Sequence, residues 1–143
     1  MAKEIIKRLL YSFFIATVCS LAIAWTNYQS TQGFEARQAE FILMIICFLL
    51  CILNFVLSLT AFLNVRADVR NNIRTSAIAF AGLPFLFLLF LIVSYFSNKS
   101  EGDDLIGFII IVAPSAFYTT TLSWHFYRFR KFLKRDEASK PVA

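Results

Sequence analysis

The fold of this chain follows from residues 41–63, whose sequence is FILMIICFLLCILNFVLSLTAFL. These 23 residues carry no charge. As an α-helix they would reach about 35 Å, which exceeds the thickness of the hydrocarbon layer of a bilayer. The segment therefore predicts a transmembrane helix, and the rest of the chain is interpreted from it.

The small and polar residues of this segment recur at spacings of four and three, which places them on one side of a helix. They are Cys47, Cys51, Asn54, Ser58 and Ala61. In lipid a helix gains nothing by turning leucines inward, so small and hydrogen-bonding residues mark the surface where another helix docks. We predict a helix-packing face here. The amide of Asn54 either bonds a neighbouring helix or lies on an ion or substrate path.

Three further apolar segments accompany this one. The 143-residue chain is 59% hydrophobic, with a mean hydropathy of +0.67, more than the core of a soluble domain requires. We predict an all-α integral membrane protein in which one domain, residues 1–143, forms an up-down bundle of four transmembrane helices. The helices are expected at residues 9–26, 41–63, 77–96 and 105–127, followed by a basic tail at 128–143.

The first apolar segment resembles a signal peptide in its basic start and small residues. Its length of about 18 residues and its end at Trp25 and Tyr28 favour a membrane helix that is retained. Small residues recur every four positions along it and form a ridge suited to close contact with the second helix. The ridge consists of Ser12, Ala16, Ser20 and Ala24.

The third and fourth predicted helices contain proline. Pro84 leaves the carbonyl of Phe80 without its helical donor, so a kink is expected there. Pro114 lies near the middle of the fourth helix and is followed by hydroxyl residues that can bond the backbone nearby. These are Ser115, Thr119, Thr120, Thr121 and Ser123.

The charges predict the orientation. Twelve of the 14 Lys and Arg residues precede the first helix, follow the fourth, or lie between the second and third, whereas the other two loops contain only Arg37 and Lys99. Positive residues stay inside, so both termini are expected to be cytoplasmic. The protein is expected in a membrane, namely the bacterial cytoplasmic (inner) membrane.

Two charged surfaces are candidate binding sites. Basic residues of the tail alternate with aromatic ones at helical spacing and are expected to contact lipid headgroups, unless the tail is simply solvated. They are Arg128, Arg130, Lys131, Lys134 and Arg135. An outer acidic patch precedes the fourth helix and either binds a cation or a basic partner or caps that helix. It comprises Glu101, Asp103 and Asp104.

Several function classes are disfavoured. No acidic or basic residue lies well inside an apolar segment, so proton-coupled transport and intramembrane acid–base catalysis lack their usual groups. The three cysteines lie within apolar segments and His125 is the single histidine, so neither a metal site nor a cofactor is predicted. The basic residues flank membrane helices, which disfavours nucleic acid as a partner.

The expected function is therefore that of a non-enzymatic, membrane-embedded interaction protein. In topology the chain resembles some bacterial immunity proteins that act against membrane-acting toxins, which are short, basic and four-helical with both ends inside. That resemblance implies another membrane protein or a toxin as the partner and assigns no site residues. The alternatives are a homo-oligomeric channel or membrane-permeabilising effector, whose path the polar residues would line, and a small-molecule transporter.

Overall fold

The computed structural model describes the backbone of residues 2–98 and 105–138 and the side chains of residues 2–97 and 105–133. The described backbone is nearly all helical, which confirms the all-α prediction. The predicted acidic patch of Glu101, Asp103 and Asp104 lies outside the described residues, as do the side chains of Lys134 and Arg135.

Four helical spans are long and apolar enough to cross a membrane, as predicted. They are referred to below as the first to fourth spans, and they cover Ala2–Ser30, Phe34–Val65, Ile73–Ser97 and Leu105–Leu133. The chain is thus a membrane protein built as a helix bundle.

Each span is longer than its apolar segment because polar flanking residues continue the helix. At the start of the first span, Arg8 Nη2 pairs with Glu4 Oε2 at 3.3 Å, one helical turn apart. Such a pair stabilises the helical turn that precedes the apolar segment. Hydropathy therefore locates the part of each helix that can lie in lipid, and not the helix ends.

The spans contain both regular and irregular helix. The elements in chain order are α1 (Ala2–Ser30), α2 (Phe34–Leu57), a 3-10 segment (Ser58–Val65), α3 (Ala67–Asn71), α4 (Ile73–Ala77), a π-helical turn (Ile78–Gly82), α5 (Leu83–Asn98) and α6 (Leu105–Ala138). The link between α1 and α2 is short and includes Gly33 at φ 97°, a conformation that glycine adopts without steric cost.

Side chains support the 3-10 segment of the second span. Ser58 Oγ donates to Phe55 O at 2.7 Å, and Asn64 Nδ2 donates to Ala61 O at 3.1 Å. Both bonds reach back three residues, which is the interval of a 3-10 helix. These side chains therefore satisfy backbone carbonyls within the second span.

The third span starts at a capped turn and contains a wider one. Asn72 Oδ1 accepts from the backbone N–H of Arg74 at 3.0 Å and so caps α4. The π-helical turn at Ile78–Gly82 follows and ends two residues before Pro84, which has no N–H to give to the preceding turn. Irregular winding thus lies where the sequence predicts a kink, and π turns are a known cause of kinks.

The core lies between the spans and continues to their basic ends. The first span packs on the second and fourth, and the 3-10 segment of the second span packs on the π-helical turn of the third. The main buried cluster comprises Ile5, Leu9, Ala16, Cys51, Ala61, Phe80, Tyr118, Leu122, Phe129 and Leu133. A smaller cluster contains Ala24, Cys47 and Ile110.

Candidate functional site

The polar face of the second span bonds to the fourth span. Three contacts join them: Cys47 Sγ to Ile110 O at 3.5 Å, Asn54 Nδ2 to Ser115 Oγ at 2.8 Å, and Ser58 Oγ to Tyr118 Oη at 2.6 Å. We call these six residues the polar seam. All six side chains are buried, so the seam is enclosed by the chain's own helices.

The Asn54 amide is buried against the fourth span. Its side chain is 0% exposed, and Nδ2 donates to Leu50 O at 2.8 Å as well as to Ser115. Its Oδ1 is buried and has no hydrogen-bond partner within the described part of the chain. Within the described residues, Asn54 therefore forms a contact between the second and fourth spans.

Pro114 explains why Cys47 bonds to a backbone carbonyl. A proline lacks the N–H that would donate to the carbonyl four residues earlier, which here belongs to Ile110. The Cys47 thiol donates to that carbonyl from the neighbouring span. The defect in one helix is thereby satisfied by a side chain of another, as membrane interiors require.

The ridge of the first span packs into the same interior. The Cys51 thiol lies against the hydroxyls of Thr17 and Ser20. Every residue of the two predicted packing faces is at most 1% exposed, namely Ser12, Ala16, Ser20, Ala24, Cys47, Cys51, Asn54, Ser58 and Ala61.

A second polar contact joins the second and third spans. Ser76 Oγ donates to Asn64 Oδ1, and Asn64 Nδ2 lies 3.4 Å from Ser76 O. Both side chains are fully buried. This pair fixes the start of the third span against the 3-10 segment.

The basic segment after residue 127 continues α6 and packs on the bundle. Phe129 and Leu133 are buried in the core instead of lying free for lipid, and Phe129 stacks on Phe80 with ring centroids 5.6 Å apart. Arg130 Nη1 donates to Arg70 O at 2.6 Å. This part of the tail is therefore bonded to the loop between the second and third spans. Its predicted headgroup contacts stay a prediction.

Two of the cavities on the surface of the described bundle are lined by charged and aromatic residues. One, of about 400 Å³, lies between the first and fourth spans, and we call it the basic cleft; its polar and aromatic lining is Glu4, Lys7, Arg8, Tyr11, His125 and Arg128. The other, of about 610 Å³, lies beside the first loop, and we call it the loop cleft; it is lined by Tyr28, Phe34, Arg37, Gln38, Phe41 and Ile42.

Two observations concern metal ligands and ionisable groups among the described residues. Within them, no group of three or more His, Cys, Asp or Glu side chains could hold a metal ion. In the loop before the third span, partial desolvation of Asp68 opposes ionisation, but hydrogen bonds from the backbone and from Arg66 outweigh it and lower the pKa of that carboxyl. This carboxylate is exposed and pairs with Arg66 at 3.1 Å.

Sequence reasoning missed Tyr118, Asn64 and the Arg8–His125 contact. For Tyr118 a signal was present, because it follows Ser115 by three residues; the burial of Asn64 depends on the 3-10 winding of its segment. The third had none: Arg8 Nη1 lies 3.5 Å from His125 O, across 117 positions of sequence.

The fold and the seam define a class: an all-helical membrane protein whose polar interior is closed by contacts within one chain. No protein family, curated protein or solved structure matches this chain.

Proposed function

We propose that this protein is a non-enzymatic subunit of the bacterial cytoplasmic membrane that binds another membrane protein, as an immunity protein or an accessory subunit. The observation that carries the proposal is the enclosure of the polar seam. Asn54 and Ser58, which would have to line a water-filled path, are 0% exposed and bonded to the fourth span. A bundle in which the polar residues of the second and fourth spans bond to one another suits a binding role better than conduction.

The proposed orientation has both termini in the cytoplasm and the helices in up-down order. Three basic segments support it, because contacts bring them to one end of the bundle. Arg8 lies near the backbone of His125, and Arg130 bonds the backbone of Arg70. A shared basic end is the arrangement that the positive-inside rule favours on the cytoplasmic side.

The proposed partner surface is the loop cleft. The small-residue faces cannot serve, because the chain's own helices already cover them. Phe34 is 78% exposed and Phe41 is 56% exposed beside this cavity, and Arg37 lies 6.0 Å from the ring of Tyr28. Exposed aromatic residues around one arginine have the composition of protein-binding hot spots.

The test is photocrosslinking in the cells that make the protein. Phe34 is replaced by p-benzoylphenylalanine, and Phe90, which is 63% exposed on the third span, receives the same replacement as the matched control. We expect a discrete adduct with one other membrane protein from position 34 and no such adduct from position 90. Adducts with a second copy alone, or equal protein adducts at both positions, contradict the proposal.

The channel alternative is tested by thiol chemistry at the seam. In an Asn54→Cys variant, we expect no reaction with a charged, membrane-impermeant thiol reagent, because the position is enclosed. Rapid modification together with ion conductance in planar bilayers would favour the channel.

A further inference from the structure

The basic cleft contains more hydrogen-bond donors than the chain uses. Arg8 is only 13% exposed, and its Nε is buried without a partner among the described residues. Its other contacts are long, at 3.3 Å to Glu4 and 3.5 Å to His125 O. His125 Nδ1 is also buried and unpartnered within that part of the chain. Because buried donors are normally paired, an acceptor from outside the chain is the expected complement.

The charge of the basic cleft specifies an anion. Lys7, Arg8 and Arg128 face one carboxylate, Glu4, so the lining carries a net charge of +2 with His125 neutral. Two of the cations form cation–π contacts. Lys7 Nζ lies 6.0 Å from the centre of the Tyr11 ring, and the Arg128 guanidinium lies 5.4 Å from the centre of the Trp124 ring. Neither of these two cations pairs with a carboxylate of the residues whose side chains are described.

The shape of the basic cleft distinguishes a lipid from a free anion. It extends from Glu4 to Ile15, roughly 16 Å along the first span. Tyr11 is 51% exposed and Ile15 is 40% exposed, so the deeper wall is apolar and open to the bilayer. Free phosphate would use only the charged end, whereas a phospholipid would occupy both ends. A volume of about 400 Å³ is in the range of small-ligand sites.

We propose that the basic cleft is a binding site for an anionic phospholipid. Lys7, Arg8 and Arg128 contact the phosphodiester, and His125 donates to it from Nδ1. The upper acyl chain lies along Tyr11 and Ile15. The site is independent of the proposed protein partner, because the residues that line it differ from those of the loop cleft.

The test measures lipid affinity of the purified full chain by native mass spectrometry, with phosphatidylglycerol and phosphatidylcholine as probes. The test variant is Lys7→Gln with Arg128→Gln, both exposed positions that leave the core intact. The matched control is Arg66→Gln with Arg74→Gln, which removes the same charge at exposed positions outside the cleft. A basic residue near an anionic headgroup is worth about fivefold in affinity. We expect about a 25-fold loss for phosphatidylglycerol in the test variant and less than a twofold loss in the control.

Three results would overturn the proposal. Equal losses in the two double variants would mean general surface charge, and equal affinity for the two lipids would mean no anion selectivity. Full displacement of phosphatidylglycerol by millimolar inorganic phosphate would mean a phosphate site. A His125→Phe variant retains a ring to stack on Tyr11, 6.2 Å away, and should bind severalfold more weakly; unchanged affinity would remove His125 from the site.

Discussion

The hydrogen bond between Tyr118 and Ser58 gives a quantitative test of the polar seam. Tyr118 is 0% exposed, and its Oη lies 2.6 Å from Ser58 Oγ. Ser58 also donates to Phe55 O at 2.7 Å, so it stays paired when the tyrosine hydroxyl is removed. Hydrogen bonds between membrane helices contribute about 0.6–1.7 kcal/mol. We expect Tyr118→Phe to lower the free energy of unfolding by about 1 kcal/mol, or about fivefold in the equilibrium constant.

The assay is reversible unfolding in mixed micelles, followed by helicity as a denaturing detergent is added. Tyr127→Phe is the control, because that residue is 65% exposed on the same helix. A double-mutant cycle of Tyr118→Phe with Ser58→Ala isolates the pair, and we expect a coupling energy of about 0.6–1.7 kcal/mol. A coupling energy below about 0.2 kcal/mol, or an equal loss in Tyr127→Phe, would refute the assignment of stability to this contact.

Two further predictions concern packing and orientation. Ser58→Leu should lower the unfolding free energy by about 1–3 kcal/mol in the same assay, because Ser58 is 0% exposed. The control, Val56→Leu, lies at a 52% exposed position and should lower it by less than about 0.5 kcal/mol. Equal losses in the two variants would contradict a buried face. A cysteine that replaces Gln32 should react with a membrane-impermeant thiol reagent on intact cells. A cysteine that replaces Asn71 should react only after the cells are permeabilised. The reverse pattern would contradict the proposed topology.

The four spans and the buried faces could be predicted because each depends on local sequence. Charge-free length predicts a membrane helix, and spacing by four and three predicts a shared face, as for Cys47 and Asn54. Periodicity says which face of a helix is buried but not which residue it meets. The pairing of Asn54 with Ser115 depends on how two helices, 61 positions apart in sequence, are aligned.

Asn64 shows a different limit. The α-helical pattern of the second span would continue four residues beyond Ala61, at Val65, which is 46% exposed. Winding at three residues per turn instead aligns Ser58, Ala61 and Asn64, which all lie on the buried side. An α-helix would turn Asn64 about 120° away from Ser58. A local change of helix type is not visible in a periodicity that assumes one type throughout.

The same eight residues of 3-10 helix also affect how the second span fits the thickness of the bilayer. They rise about 2.0 Å each instead of about 1.5 Å, so the segment is about 4 Å longer than the same residues in an α-helix. Returning it to α-helix would shorten the span and rotate Asn64 away from Ser76 together. By hydrophobic mismatch, a bilayer that favours a shorter second span would therefore work against the Asn64–Ser76 pair, and a thicker one would support it.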